Sequence, residues 1–434
     1  MGRTLDRGWI AALCLLCPAA GWGAGEETKP ASAWTYDLSG EVRLRGEWRD
    51  DNDLDRNLDD DRREGFMRVR LGVAFEKKDE VRVFIQAQDS RVSGEEANVG
   101  SATDPTLSDE ENLDLHQGYV EVRAFARSGL ILYAGRREWT YGDHRVIGNF
   151  AWNNFGRAFD GVTLRWKSPK IFWIDGFYAQ LDQDATPDGG TRGDGLYGTY
   201  AQWAPRPGDE VEGYAMAFHD STRLAGEAGS GVSQVKMVGG RVRSKIQRFE
   251  YRAEAAVQRG EFAGDDHRAW AAAAILGLDL GSAKRWRAIG GYDYATGDRD
   301  STDGVDQEFF NFFPTNHPLY GYMDLFGWRN ITSPWAGVAF SEGRHWAQAK
   351  VHKFDLQDEH GRWKNAGGAS LGFDATGGSG RCVGREIDLI YRFKWGEKVA
   401  LEADLSRFDP DDFAEATRGS DPSHFGYLML TVGF

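Results

Sequence analysis

The chain has 434 residues, a formal net charge of −15 and 27% charged residues. An acidic balance of this size argues against nucleic acid as the partner, because nucleic acids bind basic surfaces. The longest apolar run beyond the N-terminus is Ala269–Leu278. A membrane-spanning helix needs about 20 apolar residues, so this run is too short to form one.

The N-terminus has the features of a secretory signal peptide. Arg3 and Arg7 form a basic segment, Trp9–Cys17 is a short apolar core, and small residues follow as far as Gly25. We therefore predict a signal peptide over residues 1–25 and a single domain over 26–434. A buried N-terminal helix is the alternative. Only Cys382 remains beyond the leader, which excludes an internal disulfide.

Strand-like segments follow one another along the rest of the chain, and about eighteen can be marked. In the first, Leu38, Val42 and Leu44 share one face, whereas Arg43 and Arg45 share the other. Similar alternation continues to the C-terminal residue, Phe434. Alternating apolar and polar residues are typical of membrane strands that face lipid on one side and a wet lumen on the other.

The connections between these segments alternate between short and long. The short ones are turns such as Lys77–Glu80 and Gly396–Lys398. The pattern predicts an all-β fold, a transmembrane up-and-down antiparallel β-barrel of about 18 strands with short periplasmic turns and long extracellular loops. A soluble β-sandwich is the alternative, and it would need connections that cross between two sheets. The predicted long connections are Arg49–Glu64, Ser90–Asn112, Arg136–Arg157, Asp182–Gly195, Asp220–Val232, Gly260–His267, Gly297–Thr332, Asp358–Gly384 and Asp409–His424.

The polar faces of the predicted strands are rich in arginine, with carboxylates beside them. One interpretation is that the charges pair and stiffen the wall. The other is that excess arginine forms a positive constriction that favours anions. Both stay open at this point. The arginines are Arg43, Arg45, Arg68, Arg70, Arg82, Arg165, Arg241, Arg243, Arg252 and Arg392, and the carboxylates are Glu41, Glu47, Glu250, Glu254, Glu386 and Asp388.

Three segments resemble one known family. Gly135–Trp166 reads GRREWTYGDHRVIGNFAWNNFGRAFDGVTLRW, Phe310–Asn330 reads FNFFPTNHPLYGYMDLFGWRN, and the C-terminal part contains GREIDLIYRFKWGEKVALEADLSRF and HFGYLMLTVGF. Together they are similar to the alginate-export outer-membrane porins over essentially the whole mature chain. The resemblance implies an eighteen-stranded monomeric barrel in the bacterial outer membrane. It also implies an arginine-rich pore that passes an anionic uronate polysaccharide.

The family positions suggest which residues line the substrate path. Arg136, Arg145 and Arg157 match the motif of the third long loop, which we expect to fold inward and narrow the pore. Aromatic residues of this loop are expected to anchor it against the wall. The alternative is that these arginines tie the loop to acids such as Asp143 and Asp160. The wall residues Arg43, Arg45, Arg68 and Arg70, with Glu41 beside them, form the second set of candidates.

The predicted function is passive export of an anionic polysaccharide, most specifically alginate, without enzymatic activity or a cofactor. Expected partners are the polysaccharide, outer-membrane lipid and periplasmic export components. The alternatives are an uptake porin for small anionic or neutral solutes, and a hydrolase on a barrel scaffold. Asp51, Asp53 and Asp55 are spaced as at the start of an EF-hand, but Arg56 stands where glycine is required. The sequence therefore excludes an EF-hand, and a loosely bound cation at Asp51, Asp53 and Asp55 is the prediction that remains.

Overall fold

The barrel is formed by a single antiparallel sheet that closes on itself. The computed structural model describes residues 34–94, 111–123, 129–168, 171–181, 194–227, 229–281, 283 and 285–434. The predicted leader lies outside these residues. Eighteen strands belong to the sheet. Its first strand pairs with the second on one side and with the last on the other, which confirms the predicted barrel.

The strands follow one another around the wall in chain order. A small hairpin, β16 and β17, and one short helix, α1, lie within the connections. Across the described part of the chain, no helix has the length and apolarity needed to cross a membrane. The elements are β1 Trp34–Asp50, β2 Arg62–Lys77, β3 Val81–Gly94, β4 Glu111–Val122, β5 Leu130–Arg137, β6 Phe159–Lys167, β7 Phe172–Gln180, β8 Gly195–Trp203, β9 Glu210–Ala225, β10 Ser230–Ile246, β11 Phe249–Phe262, β12 Asp265–Leu280, β13 Trp286–Ala295, β14 Ile331–Glu342, β15 His345–Asp355, β16 Trp363–Lys364, β17 Ser370–Gly372, β18 Cys382–Trp395, β19 Val399–Pro410, α1 Asp412–Thr417 and β20 Ser423–Gly433.

Exposure alternates along the strands as the sequence predicts. On β1, Leu38 is 68% and Leu44 46% exposed, whereas Arg43 and Arg45 are each 4% exposed. The apolar side chains of the outer face therefore meet lipid, and the charged side chains point into the lumen. Closure leaves no unpaired strand edge in the hydrocarbon layer, where an unsatisfied backbone group costs several kcal/mol.

The last residue takes part in closing the barrel. The backbone N–H of Phe434 donates to the carbonyl of Gly40, and the N–H of Gly40 donates to the carbonyl of Phe434, both at 3.0 Å. Register between β1 and β20 then runs from Glu41 opposite Gly433 to Asp50 opposite His424. The C-terminal strand thus completes the ladder that the first strand begins.

Two connections predicted to be long are short in the structure. β9 continues to Ala225 and β10 begins at Ser230, within the predicted loop Asp220–Val232. β11 and β12 are joined by Ala263 and Gly264 alone, both with positive φ (53° and 94°), as a two-residue hairpin requires. The prediction was wrong here because polar strands keep pairing beyond the bilayer, and the polar residues resemble a loop in the sequence.

The buried apolar residues come both from strands of the barrel and from its long connections. Three of these, residues 138–158, 296–330 and 356–381, supply side chains that are almost fully buried. These loop side chains join buried apolar and aromatic side chains of the strands in one cluster. Representative members are Trp139, Ile147, Phe309, Tyr320, Trp328 and Trp363.

Candidate functional site

Two long loops from separate parts of the chain meet inside the barrel. Residues 138–158 join β5 to β6, and residues 296–330 join β13 to β14. Ile147 forms a parallel bridge with Phe313. The N–H of Gly148 donates to Phe313 O at 2.8 Å, and the N–H of Phe313 donates to Val146 O at 2.9 Å. We call these two loops the plug. It unites the two internal segments that carry the family resemblance.

Arginines on β1 hold the first plug loop by its backbone carbonyls. The guanidinium of Arg43 donates to Ala151 O at 2.6 Å and to Asn153 O at 2.8 Å. Arg45 donates to Trp152 O at 2.6 Å. A guanidinium presents several donors in a rigid plane, so one side chain can bind two successive carbonyls.

Arginines on β2 continue the same arrangement. Arg68 donates to the carbonyls of Ala151 and Asn153, each at 3.2 Å, and Arg70 donates to Phe155 O at 3.0 Å. Arg68 also pairs with Glu41 at 2.7 Å. We call Arg43, Arg45, Arg68 and Arg70 the arginine clamp. All four are between 4% and 8% exposed, so the hydrogen bonds to the loop satisfy buried donors.

Aromatic rings hold the same loop from its other side. Trp152 stacks on His317 with ring centroids 3.7 Å apart, and the guanidinium of Arg45 lies 3.9 Å from the centre of the Trp152 ring. Trp139 stacks on Phe159 at 5.0 Å. Such contacts add to the energy of burial. The loop is therefore held both by charge-assisted hydrogen bonds and by ring packing.

Glu138 joins the loop to the clamp at its base. It pairs with Arg70 at 3.0 Å, contacts His116 at 2.8 Å and accepts from Asn149 at 2.8 Å. Burial opposes ionisation of the Glu138 carboxyl. The hydrogen bonds from His116 and Asn149 and the charge of Arg70 outweigh it and lower the pKa of Glu138 to about 2. Glu138 is therefore ionised throughout the neutral range.

Arg145 ties the plug to the far wall. It is 2% exposed, pairs with Asp293 at 2.9 Å and Glu254 at 4.0 Å, and donates to the Tyr320 hydroxyl. Its guanidinium also lies 5.4 Å from the ring of Trp328. Since Arg145 is fully engaged by acids and aromatic rings, its geometry is that of a structural tie.

Arg136 lies on the wall rather than in the loop, because β5 extends through Arg137. It shares the outward-facing side of β5 with Leu132 and Ala134, and makes two hydrogen bonds to Asp160 at 3.0 and 2.8 Å. The expected loop position was wrong. Alternation along the strand is the signal that separates Arg136 from its inward-facing neighbour Arg137, which the sequence prediction missed.

Arg157 lies between the two loops of the plug. It is half-buried and donates to Gly148 O at 3.2 Å and to Pro314 O at 3.1 Å. Phe150 and Phe313 flank its guanidinium at 5.3 and 5.6 Å. Burial lowers the pKa of Arg157 to about 10, so it stays charged at neutral pH. Among the described residues, the hydrogen bonds of Arg157 therefore go to neutral carbonyls.

Several other arginines of the strands pair with wall carboxylates. Their side chains are more exposed than those of the clamp, and several are a quarter to two fifths accessible. This arrangement favours the interpretation in which charges neutralise one another and stiffen the wall, while leaving guanidinium groups in contact with lumen water. The pairs include Arg165–Asp175, Arg243–Glu250, Arg252–Glu250, Arg287–Glu250 and Arg392–Glu402.

The side chains of Asp51, Asp53 and Asp55 do not bring their ligand atoms close enough together to be a candidate metal site. Asp53 accepts the N–H of Asp55 at 3.0 Å, and Asp55 accepts the N–H of Asn57 at 3.1 Å. These are local turn bonds. In the described part of the chain, the one group with suitably close ligand atoms is Asp358, Glu359 and His360, within 4.8 Å of one another. A cation site at Asp51, Asp53 and Asp55 stays an untested prediction.

Comparison with known proteins identifies the family. The family model described as alginate export matches residues 35–427. The chain belongs to the alginate export family. A search of curated protein sequences found no match to it. Family and fold are those of outer-membrane channels rather than enzymes, which places the protein in the bacterial outer membrane and supports a polysaccharide as substrate.

Solved porin structures share the barrel. OccD3 (OpdP) of Pseudomonas aeruginosa superposes with a TM-score of 0.62 at 12% identity, covering 94% of each chain. OccAB4 of Acinetobacter baumannii gives 0.59 at 12% identity, covering 92% of this chain and 98% of the other. OprD of P. aeruginosa gives 0.58 at 12% identity, covering 92% and 94%. At these identities the likeness concerns the fold alone.

Breaking the arginine clamp is expected to free the first plug loop. In Arg43→Gln/Arg68→Gln the loop loses charge-assisted hydrogen bonds, each contributing about 1.5–3 kcal/mol when buried. Single-channel recordings in planar bilayers should then show larger or more frequent openings than wild type. Arg63→Gln is the matched control, because Arg63 is exposed on the outward side of β2. Unchanged conductance in the double variant would contradict the clamp's role.

Acid is expected to loosen the same loop through Glu138. Because its pKa is lowered from 4.5 to about 2, ionised Glu138 stabilises the loop fully above its unfolded pKa, and this contribution is lost as pH falls towards 2. Conductance measured between pH 6 and 3 should rise with acid in wild type. Glu138→Gln should remove that part of the pH dependence. An identical pH profile in both proteins would argue against it.

Proposed function

We propose that this barrel is the outer-membrane channel through which an anionic uronate polysaccharide, alginate, leaves the cell passively. The observation that carries the proposal is the alginate export family match along nearly the whole barrel. The arginine-rich lumen supports it, because a uronate polymer carries a carboxylate on every sugar and needs fixed cations to replace its counter-ions.

The contacts of the plug separate the arginines that hold it from those that we assign to the polymer. The clamp and Arg145 are buried and occupied by loop carbonyls, acids and rings, so we assign them to holding the plug. Arg157 is charged and half-buried, and within the described residues it donates to two neutral carbonyls. We therefore assign contact with substrate carboxylates first to Arg157, and next to the accessible wall arginines. Their paired acids weaken anion binding enough for release.

The proposal also covers the oligomeric state of the channel and its partners. The barrel acts as a monomer surrounded by outer-membrane lipid and receives the polymer from periplasmic export components. It catalyses no reaction and needs no cofactor. Movement follows the polymer's concentration or its synthesis behind the channel.

Export can be separated from solute uptake by experiment. In an alginate-producing bacterium without its own outer-membrane exporter, expression of this chain should restore extracellular uronic acid, measured by a colorimetric assay. A bacterium carrying OprD in place of this chain is the control, since it offers a barrel of similar fold. Failure to restore secretion, together with faster uptake of small anions, would favour the uptake porin and overturn the proposal.

Arg157→Gln is expected to weaken anion selectivity and block by oligomannuronate. A charge-assisted hydrogen bond contributes about 1.5–3 kcal/mol where water is excluded, and less in a wet pore. Reversal potentials under a salt gradient and block of single-channel current would measure the loss. Arg136→Gln is the matched control from the same motif, because Arg136 lies on the outward side and should leave both unchanged. Equal effects of the two substitutions would contradict this assignment.

A further inference from the structure

A cavity lies at the extracellular end of the barrel, where the second plug loop meets the β15–β18 connection. It has a volume of about 140 Å³ and lies between the β13–β14 and β15–β18 connections, beside the tip of β11. Cavities of about 150 Å³ accommodate one six-membered ring such as benzene. The size suits a single pyranose ring rather than a longer saccharide.

The cationic side of the cavity is formed by three side chains. Arg362 is exposed, and its guanidinium stacks 3.9 Å from the centre of the Phe373 ring. Lys364 pairs with Glu308 at 2.6 Å and Arg329 approaches the same carboxylate at 3.9 Å. The Nε of Arg329 is buried with no hydrogen-bond partner within the described chain. One carboxylate is thus shared by two cations.

The other side of the cavity carries the carboxyl groups of Asp298 and Asp306. Burial and the neighbouring Glu227 raise the pKa of Asp298 to about 8, so this carboxyl is largely protonated. Asp306 is occupied by His267 at 2.7 Å and by the N–H of Glu308 at 3.0 Å. The three cations Arg329, Arg362 and Lys364 therefore outnumber the carboxylates Glu308 and Asp306 in this lining, although the chain has a net charge of −15.

An apolar surface completes the cavity. Phe310 and Phe373 line it, and Phe310 is held by Phe262 at a ring distance of 5.1 Å. Aromatic faces beside a cation match the two chemically distinct parts of a uronate, its apolar ring face and its carboxylate. A neutral sugar would leave the guanidinium without a charged partner, and a small inorganic anion would leave the rings uncovered.

We propose that this cavity is a binding subsite for one uronate residue of the polysaccharide at the outer mouth of the channel. Arg362 binds the carboxylate, Phe373 and Phe310 cover the ring, and Glu308 accepts hydroxyl groups of the sugar. The identity of the ligand rests on the proposed function. The subsite is lined partly by the second plug loop, and neither Arg157 nor any residue of the clamp is among its lining residues.

The test measures binding of trimannuronate to the detergent-solubilised full-length protein by calorimetry, with neutral mannotriose as the comparison ligand. Arg362→Gln should weaken trimannuronate binding about three- to tenfold, as expected for loss of a partly solvated ion pair. Arg362→Lys, which keeps the charge, should recover part of the affinity. Arg299→Gln is the matched control, because Arg299 is exposed on the neighbouring β13–β14 connection and lies outside the cavity lining.

Other outcomes separate failure of the subsite from failure of the export function. Normal block of the channel by trimannuronate, with binding unaffected by Arg362→Gln, would overturn the subsite alone. Equal binding of mannotriose would overturn its uronate specificity. Displacement of trimannuronate by an equal concentration of inorganic phosphate would point to lipopolysaccharide phosphate as the ligand and also overturn it. If trimannuronate did not block the channel and the chain did not restore secretion, the proposed export function itself would be overturned. Unboiled samples that migrate as folded barrels verify each variant.

Discussion

The structure depends on the closure of one sheet in a medium that offers no hydrogen bonds. Each strand must find partners on both sides, and β1 does so by pairing with β2 and β20 at once. Once the sheet is closed, alternation along each strand assigns every side chain to lipid or lumen. Within the hydrocarbon layer the charged residues of the strands then face the lumen, and the wall encloses a space that its own side chains do not fill.

That space is filled by loops, and their backbone must be satisfied there. A loop within the lumen carries carbonyls that need donors. The arginine clamp supplies them. Arg43 and Arg68 bind the same two carbonyls, those of Ala151 and Asn153, from neighbouring strands. The sequence predicts that these arginines line the substrate path. In the structure their positive charge holds the plug in place.

The two interpretations of the lumen charges apply to different arginines. The clamp and Arg145 are fully engaged and buried, and the more exposed wall arginines have acidic partners. Arg157 differs from the clamp in being only half-buried, and its hydrogen bonds among the described residues go to two neutral carbonyls. Pairing thus stiffens most of the wall.

The sequence by itself determined the barrel, its strand number and the face of most residues, because a period of two and membrane chemistry together leave few alternatives. It also identified the two internal motifs. It did not distinguish Asp220–Val232 from a true loop, since polar strands that pair beyond the bilayer have loop-like composition. Only the tertiary structure decided that Arg136 faces outward, that Arg145 is buried against Asp293, and that the clamp binds carbonyls. The sequence does not show which backbone carbonyls a side chain will meet, and contacts between distant loops depend on closure of the whole sheet.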